Sequence, residues 1–376
     1  MKFDKTALAA MLAFACAAGA QAQTFELLHS FKSEEGTNPT APPVIAADGT
    51  LYGVTLVGGQ QPFAGTLYRL SGQAFAVLHP FGSAGDGSQP MGSPAFDRKG
   101  RLVGTTSSGG TLGMGTIWVF DPRDGSYRVA HDFAGGADGA APFEGMNLGS
   151  NGTWYGATVG GGLSVCSGSN RPCGMLFSFD EKTSAVALVH EFSGTDGKAP
   201  YGAPVLRKGK LYGAPGGGGT PYVVDKDGTN FTEIPVTDGA VSFGSSLALD
   251  AKGTLWGVVA LGGTNATGGI FSIKPSGHFH WVFSFPADAQ AGSSGVPAID
   301  ASGRLYGTNI SGGPAQAGQV WRFDPKTGEF VVLHRFAITD GRYPADGVAI
   351  DASGAIYGTT EQGGDFNGGT VYAIRP

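Results

Sequence analysis

The sequence predicts an all-β fold, a seven-bladed β-propeller of four-stranded antiparallel blades whose N-terminal strand closes the last blade. The first observation is composition, because 66 Gly and 22 Pro residues among 376 favour a turn-rich chain. The second is a unit of about fifty residues that occurs seven times, as expected for repeat architectures. The third is that the chain opens and closes on different strands of this unit.

The composition also excludes several classes of protein. Charged residues make up 14% and aromatic residues 11% of the chain, whereas a disordered chain is charge-rich and poor in aromatic residues. Glycine does not recur at every third position, which excludes a collagen helix. Lys and Arg are scattered along a chain of net charge −6, so we expect no nucleic acid as a partner.

Residues 1–22 have the features of a secretory signal peptide. A basic start precedes an apolar run, and a cleavage site of the A-x-A type follows it. We therefore expect an exported protein, in the periplasm or outside the cell, whose residues 23–376 form a single propeller domain. Lipidation at Cys16 is the alternative, but the residues before it match the lipidation motif poorly. Because no apolar run reaches the ~18 residues that a membrane helix requires, we expect no membrane span.

A short motif marks each repeat: an aliphatic or aromatic residue, then an aromatic residue or Val, then Gly. Successive occurrences are about 51 residues apart, which is the size of a four-stranded propeller blade. The motif is the second of four strand-like runs in each unit, and turns rich in Gly, Pro and Asp separate these runs. The glycines of the seven motifs are Gly53, Gly104, Gly156, Gly213, Gly257, Gly307 and Gly358.

The two ends of the mature chain decide between a closed ring and an open solenoid. Residues 25–31 match the fourth strand of the repeat, and residues 371–374 match the third strand. The N-terminal strand therefore supplies the outer strand that the last unit lacks. Such closure removes the open edges that a solenoid would have to cap. The sequence thus favours a closed ring of seven blades, and we expect it to be a monomer.

Cys166 and Cys173 are the only cysteines that remain after the signal peptide is removed. Outside the cytoplasm, two cysteines at this spacing are expected to form a disulfide. The short loop that it closes suggests a stabilisation of about 2–3 kcal/mol. A structural metal site would need further Cys or His ligands nearby, and none is adjacent in sequence. We therefore expect a disulfide, with no metal and no other cofactor.

Three longer motifs recur within the repeats. They stand near the C-terminus as a Val-Leu-His-x-Phe run that ends at Phe336, a Tyr-Gly-Thr-Thr run within residues 356–360, and a glycine-rich run over residues 363–372. These motifs resemble the Gloeobacter–Verrucomicrobia ("GloVer") tandem-repeat family over nearly all of residues 25–376. The resemblance implies a secreted or surface bacterial protein and supplies no catalytic residues. Since the chain stops at Pro376, we expect it to be free rather than anchored.

Loop lengths predict which face of the ring carries a binding site. The links between the first and second strands and between the third and fourth are tight turns. The remaining links are longer and more variable, and they share the other face. Variable loops on a rigid scaffold are common places for ligand binding. The candidate binding residues on this face lie just before the innermost strands, at the expected channel mouth; they are Phe143, Glu144, Tyr201, Arg342, Tyr343 and Asp346. The alternative is that the aromatic members pack between blades.

Glu144 and Asp346 occupy equivalent positions, each two residues after a proline. The corresponding residues in two other blades are Gly92 and Gly202. Two carboxylates at one rim could act as acid and base, or could bind a cation. Blades three and seven are not neighbours in the ring, so we do not expect the two side chains to be in direct contact.

Histidine and acidic residues also recur at fixed positions. The repeated histidines are expected to be scaffold, and each acidic residue in the inter-blade loops is expected to cap its own turn rather than to form a cation-binding ring. His278 and His280 share one face of an outer strand and could ligate a metal, but no third ligand is evident. The repeated residues are His29, His79, His131, His190 and His334, with Glu35, Asp86, Asp138, Asp196, Asp238 and Asp340.

The sequence favours a secreted, non-catalytic propeller that recognises a glycan, a peptide or an envelope protein through its variable-loop face. The sequence contains no nucleophile elbow, no P-loop and no His-Glu-x-x-His motif, which favours binding over catalysis. The alternative is a polysaccharide lyase or glycoside hydrolase with its site at the channel mouth, since propellers host both activities. A purely structural surface protein is the third possibility.

Overall fold

Seven antiparallel β-sheets follow one another along the chain. The only helices among the described residues are two single 3-10 turns, Ser33–Glu35 and Gly136–Asp138. The predicted signal peptide lies outside the described residues, as does Asp238. The computed structural model describes residues 23–166, 171–216, 219–236, 246–263, 266–286, 295–344 and 346–376.

The first three blades run from a short strand at the channel to a long strand at the rim, and a small two-stranded ribbon joins the loops of the second blade. Short inner strands fit a propeller, because the blades converge on a common axis. The strands up to the end of the third blade are Thr24–Ser30 (β1), Val44–Ile45 (β2), Leu51–Thr55 (β3), Thr66–Ser71 (β4), Ala74–Pro80 (β5), Gly87–Ser88 (β6), Ala95–Phe96 (β7), Leu102–Thr106 (β8), Ser108–Gly109 (β9), Thr116–Phe120 (β10), Tyr127–Asp132 (β11), Ala140–Pro142 (β12), Asn147–Leu148 (β13), Trp154–Gly160 (β14), Met175–Asp180 (β15) and Ala185–Glu191 (β16).

Blades four to six repeat this arrangement, with the inner strand first and the rim strand last, whereas blade seven takes β1 as its rim strand. Their strands are Val205–Arg207 (β17), Lys210–Gly213 (β18), Tyr222–Asp225 (β19), Thr232–Glu233 (β20), Ala248–Leu249 (β21), Leu255–Val259 (β22), Gly269–Ile273 (β23), Phe279–Ser284 (β24), Ala298–Ile299 (β25), Leu305–Asn309 (β26), Gln319–Asp324 (β27), Glu329–Arg335 (β28), Arg342–Pro344 (β29), Ala349–Ile350 (β30), Ile356–Gln362 (β31) and Thr370–Arg375 (β32).

The ring closes by pairing of the first strand with the last. Strand β1 lies antiparallel to β32, from the pair Thr24 and Arg375 to the pair Ser30 and Thr370. An ion pair between Arg375 Nε and Glu26 Oε2, 2.9 Å long, lies at the same end of the pairing. The predicted closure and the predicted count of seven blades are therefore confirmed.

Hydrophobic clusters lie between neighbouring blades all around the ring. Seven such clusters occur among the described residues, and each combines side chains from two adjacent blades. The cluster between the last and first blades joins Tyr357 to Leu51 and Phe31. The core is thus a ring of equivalent interfaces rather than one central mass. No helix of the described part of the chain has the length and hydropathy needed to cross a membrane.

The glycine of the repeated Leu-Tyr-Gly motif makes room for an aromatic ring from the next strand of its own blade. A Cβ added to Gly358 would lie 2.2 Å from the hydroxyl of Tyr372, and one added to Gly307 would lie 2.4 Å from the ring of Trp321. These glycines do not have a positive φ, so close approach alone requires them. The rings that cover the seven glycines belong to Tyr68, Trp118, Phe177, Tyr222, Phe271, Trp321 and Tyr372.

Candidate functional site

The chain enters most blades through one repeated turn on the variable-loop face. A residue in the left-handed conformation precedes a proline, and Tyr343, with φ 57°, is the bulkiest of these residues. Its backbone N–H donates to the carbonyl of Ala317 in the preceding blade, at 2.9 Å. The proline that follows packs on a glycine of that blade, because a Cβ on Gly318 would lie 2.3 Å from Pro344 Cδ. These contacts fix the position of the residues that follow. The left-handed residues are Asn38, Gln89, Ala141, Ala199 and Tyr343.

Two residues after each of these prolines, and at the equivalent position in the blades that lack the proline, the chain reaches a position that we call the mouth slot. A Cβ added to Gly92 would lie 1.9 Å from the backbone N of Gly145, in the next blade. Because neighbouring blades approach closely here, the blade that precedes the one with Glu144 must have a small residue at its mouth slot. Gly295 is the corresponding small residue in the blade that precedes the one with Asp346. Packing explains the small residues but not the two carboxylates. The small residues at the slot are Ala41, Gly92, Gly202 and Gly295.

Glu144 and Asp346 line one cavity of about 270 Å³ at the centre of the ring. The rest of the lining consists mainly of small and aliphatic residues from all seven blades. The blades of the two carboxylates are not neighbours, but the inner ends of all seven blades contribute to the lining, so residues of distant blades share one cavity. A ligand in this cavity would be within reach of both carboxyl groups.

The carboxyl group of Glu144 is held in an environment that disfavours its charge. Removal from water raises its pKa to about 8, and the negative charge of Asp346 adds to the effect. The hydroxyl of Ser246, which lies 2.8 Å from Glu144 Oε2, acts in the opposite direction because it donates a hydrogen bond. Glu144 is therefore largely protonated at neutral pH and can donate a hydrogen bond as well as accept one.

A third carboxyl group belongs to the same environment. Burial raises the pKa of Glu361, and the charge of Asp346 raises it further. We did not single out Glu361 or Ser246 from the sequence. Glu361 stands three residues after the motif glycine, where the other blades carry uncharged residues, so an alignment of the repeats would have revealed it. Ser246 lies in a blade whose sequence lacks the proline before the mouth, so its correspondence to the mouth residues of the other blades is not apparent from the sequence.

The other predicted site residues lie beside the cavity rather than in its wall. Phe143 and Tyr201 contact each other edge to face, with ring centroids 4.9 Å apart. The backbone carbonyl of Tyr201 also accepts a hydrogen bond from the N–H of Glu144, at 3.3 Å. The guanidinium of Arg342 lies 4.1 Å from the ring centroid of Tyr343 and donates to its hydroxyl. The structure thus brings Glu144 and Asp346 together and places two polar-aromatic pairs around them.

The repeated histidines connect neighbouring blades at the rim. Nε2 of His334 lies 3.0 Å from Asp340, and its ring stacks on Phe25 of the next blade with centroids 3.8 Å apart. Burial lowers the pKa of His334 despite the nearby carboxylate. Asp340 also accepts the backbone N–H of Ala337, at 2.7 Å. The expected scaffold role and turn capping are confirmed for this pair. His29, His79, His131 and His190 make equivalent contacts with Glu35, Asp86, Asp138 and Asp196.

The remaining expectations concern metals and the cysteines. Within the described ranges, no group of three or more His, Cys, Asp or Glu side chains could hold a metal ion. His278 hydrogen bonds to Ser276 at 3.0 Å, beside the outer strand β24. The expected disulfide joins Cys166 to Cys173, with their Cα atoms 4.9 Å apart.

Exposed apolar side chains concentrate on the face that carries the mouth. Nine of the thirteen exposed large hydrophobic residues in the described part of the chain lie in its loops. Single exposed apolar residues are ordinary, but their concentration on one face suits contact with a partner or ligand. The most exposed of them are Phe63, Leu112, Leu163, Val165, Ile338 and Phe366.

A family model described as the Gloeobacter/Verrucomicrobia repeat matches residues 17–231 and 213–376, which together span nearly the whole chain. No curated protein matches the sequence. The similar solved structures share only 12–13% sequence identity with this chain, so they show a similarity of fold and not of function.

One similar structure is an extracellular domain from B. thetaiotaomicron, with a TM-score of 0.58 and 13% identity. It is matched over 92% of this chain, which spans only 39% of that protein. An oligogalacturonate lyase from Vibrio parahaemolyticus has a TM-score of 0.59 and 12% identity, with 94% of this chain and 97% of the lyase covered. A fungal alcohol oxidase in complex with copper has a TM-score of 0.59 and 13% identity, with 94% and 76% covered. Such different chemistries on one fold mean that function must be argued from the site.

Proposed function

The chain belongs to the Gloeobacter/Verrucomicrobia repeat family, and on this premise we propose that it is an exported propeller that binds a glycan through its variable-loop face. The ligand group is a neutral or amino-bearing sugar residue, held in the cavity at the channel mouth. Export is supported by the signal-like N-terminal sequence and by the disulfide between Cys166 and Cys173.

The observation that carries this proposal is the pair of carboxyl groups that packing does not require. Glu144 and Asp346 replace the small residues of the mouth slot in two of the seven blades, and both line the same cavity. A protonated Glu144 donates a hydrogen bond, while Asp346 accepts one or pairs with an ammonium group. Sugar hydroxyl groups both donate and accept, so they match this combination.

Size and charge narrow the ligand further. A volume of about 270 Å³ lies just below the range of about 300–1,000 Å³ for small-molecule sites, which suits one terminal sugar residue rather than a long segment. The negative charge of Asp346 repels an anionic group, which Glu361 would repel as well when it is ionised. We therefore expect uronic acids to bind poorly at the mouth. The oligogalacturonate named for the similar lyase is a chain of uronic acids, so we do not expect it to be the ligand of this cavity.

Binding measurements on the mature protein test the proposal. With a panel of neutral, amino and uronic oligosaccharides, we expect binding that depends on Asp346 only for the first two classes. Asp346→Asn should weaken binding of an amino sugar at least about tenfold, since one charge-assisted hydrogen bond is worth about 1.5–3 kcal/mol. Asp365→Asn is the matched control, because Asp365 is an exposed carboxylate on the same face. Binding of uronic acids alone, or equal effects of the two variants, would refute the proposal.

The second candidate is a glycoside hydrolase, favoured by the raised pKa of Glu144 beside the charged Asp346. A protonated carboxyl group and a nearby carboxylate are the general acid and base of many glycosidases. Glu144→Gln separates the two functions. In a binding protein the amide replaces a group that is already neutral at pH 7, so affinity changes less than about threefold. In a hydrolase the same change removes the acid and lowers turnover by a factor of about 100 to 10,000.

The lyase alternative has less support from the described residues. A lyase site would be favoured by Tyr, His and Arg side chains clustered at the rim of the cavity. The five repeated histidines instead lie at the ends of the outermost strands and contact acidic side chains. Arg342 and Tyr343 contact each other beside the mouth.

A further inference from the structure

The tight-turn face, opposite the mouth, carries a cleft of about 460 Å³ between the second and third blades. We call it the basic cleft. Its walls come from the turn after β7, from the turn after β13 and from the hairpin that follows β15. Five cationic side chains line it: Arg98, Lys99, Arg101, Arg128 and Lys182.

The cleft has an excess of positive charge in an acidic protein. Three carboxylates, Asp97, Asp180 and Glu181, stand against the five cations, so the lining has a formal charge of +2 in a chain of net charge −6. Scattered surface charges would be expected to follow the sign of the whole chain. A local excess of the opposite sign is the electrostatic requirement for an anion site.

Two of the guanidinium groups are held in place by contacts within the protein. Arg98 donates to the backbone carbonyl of Ser150 at 2.7 Å and so crosses from the second blade to the third. Its guanidinium lies against Gly152, where an added Cβ would be 3.3 Å from Nη1. Arg101 donates through Nε to Asp97 at 2.8 Å, and its Nη2 contacts Glu181. Fixed donors lose little conformational entropy when they bind an anion.

A single carboxylate serves two guanidinium groups at the centre of the cleft. Glu181 contacts Arg101 and lies 3.9 Å from Arg128, whose side chain is 43% exposed. Partial burial and the charge of Arg101 lower the pKa of Arg128. Because the Arg128 side chain is partly exposed and its contact with Glu181 is long, we expect it to have donors available for a further anion.

We propose that the basic cleft binds a carboxylate or sulfate group of an acidic glycan through Arg98, Arg101 and Arg128. Planar guanidinium groups donate in pairs to such oxyanions, which is why arginine is suited to recognise them. This site does not depend on the proposed function of the mouth. It prefers anionic groups, whereas the carboxyl groups at the mouth repel them. A propeller with both sites could connect two different glycans, one at each face.

Titration of the mature protein with inorganic sulfate, with a uronic acid oligosaccharide and with a neutral oligosaccharide of equal length tests this inference. We expect the uronic acid oligosaccharide to bind, with an affinity that falls as salt is added, and Asp346→Asn to leave this binding unchanged. Sulfate should bind at the same residues and more weakly. Arg98→Gln and Arg128→Gln should each weaken binding at least about tenfold. Arg123→Gln is the control, because Arg123 is exposed and pairs with Asp121 outside the cleft.

Glu181→Gln is expected to increase the affinity for the anion, an effect that misfolding cannot produce. This change removes the internal competitor for Arg101 and Arg128, so affinity for the anion should rise about three- to tenfold. If the cluster only joined the two blades, Glu181→Gln would lower the melting temperature without increasing affinity. That result, or the absence of binding by either anion at low ionic strength, would overturn the proposal.

Discussion

Three buried tyrosines should make the protein less stable than their phenylalanine counterparts would. Tyr68, Tyr222 and Tyr372 cover the motif glycines of their blades and are completely buried. Their hydroxyl groups have no hydrogen-bond partner among the residues that the structure describes, and burial raises the pKa of each phenol. Phe177 and Phe271 occupy the equivalent positions in two other blades, so a ring without a hydroxyl group fits this place.

The expected gain follows from two opposing contributions. A buried polar group without a partner costs about 1–3 kcal/mol. Removal of the hydroxyl group avoids that cost but leaves a cavity of about 10–20 Å³, which destabilises the protein by about 0.2–0.5 kcal/mol. Each Tyr→Phe change should therefore stabilise the protein by about 1 kcal/mol. The three sites lie in different blades and should act additively. With an unfolding entropy of about 2.1 cal/mol/K per residue, the triple variant should melt about 4 °C higher.

Thermal unfolding of the mature protein, followed by calorimetry, measures this effect. Tyr127→Phe is the matched control with the opposite sign, because the hydroxyl of Tyr127 donates to the buried carboxylate of Asp86. We expect that variant to melt at a lower temperature. If the triple variant were destabilised as well, the three hydroxyl groups would have partners, such as buried water, and the reasoning would be refuted.

Three further predictions concern the fold and the mouth. Gly358→Ala should lower stability by about 1–3 kcal/mol, because the added methyl group overlaps a buried ring and overpacking is costly; thermal unfolding measures the loss. Removal of residues 23–31 should leave β32 with an open edge, so we expect association or loss of cooperative unfolding, and a peptide of the same sequence should restore the behaviour of the intact chain. Glu144 has a folded-state pKa of about 8, above its unfolded value, so its contribution to stability is lost as pH rises from about 5 through 8. Unfolding of Glu144→Gln at several pH values should show that this part of the pH dependence disappears.

Each of these predictions has a result that contradicts it. Normal stability of Gly358→Ala would mean that the ring facing it can move. A truncated chain that neither associates further nor loses cooperative unfolding would show that the ring does not need its N-terminal strand. An unchanged pH dependence in Glu144→Gln would mean that the Glu144 carboxyl group is better solvated than its position in the cavity implies.

The sequence was sufficient to predict the architecture because the repeat carries several independent signals in each unit. Strand runs, turn residues and the spacing of the motif glycines all agree on four strands per blade, and the N-terminal segment matched the strand missing from the last blade. The reason for the motif glycine was not apparent. It depends on which ring of the next strand lies over it, and that requires the register of β31 and β32.

The site was only partly predictable, for a geometric reason. The sequence identified Glu144 and Asp346 as unusual members of a repeated position. It placed both at one rim without direct contact between them. That they line the same cavity depends on how closely the inner ends of the blades meet near the axis, which the repeat alone does not give. The protonation of Glu144 could not be predicted either, because it depends on removal from water within the cavity.

The seam between β1 and β32 also determines how the ring responds to force. Thr24 pairs with Arg375, so the beginning of the first strand and the end of the last one leave the sheet at the same place. Tension between the two termini would load these hydrogen bonds one after another, as in unzipping, rather than all at once in shear. A protein stretched between two attachment points at its ends would therefore open at the seam first, with the other six blades still folded.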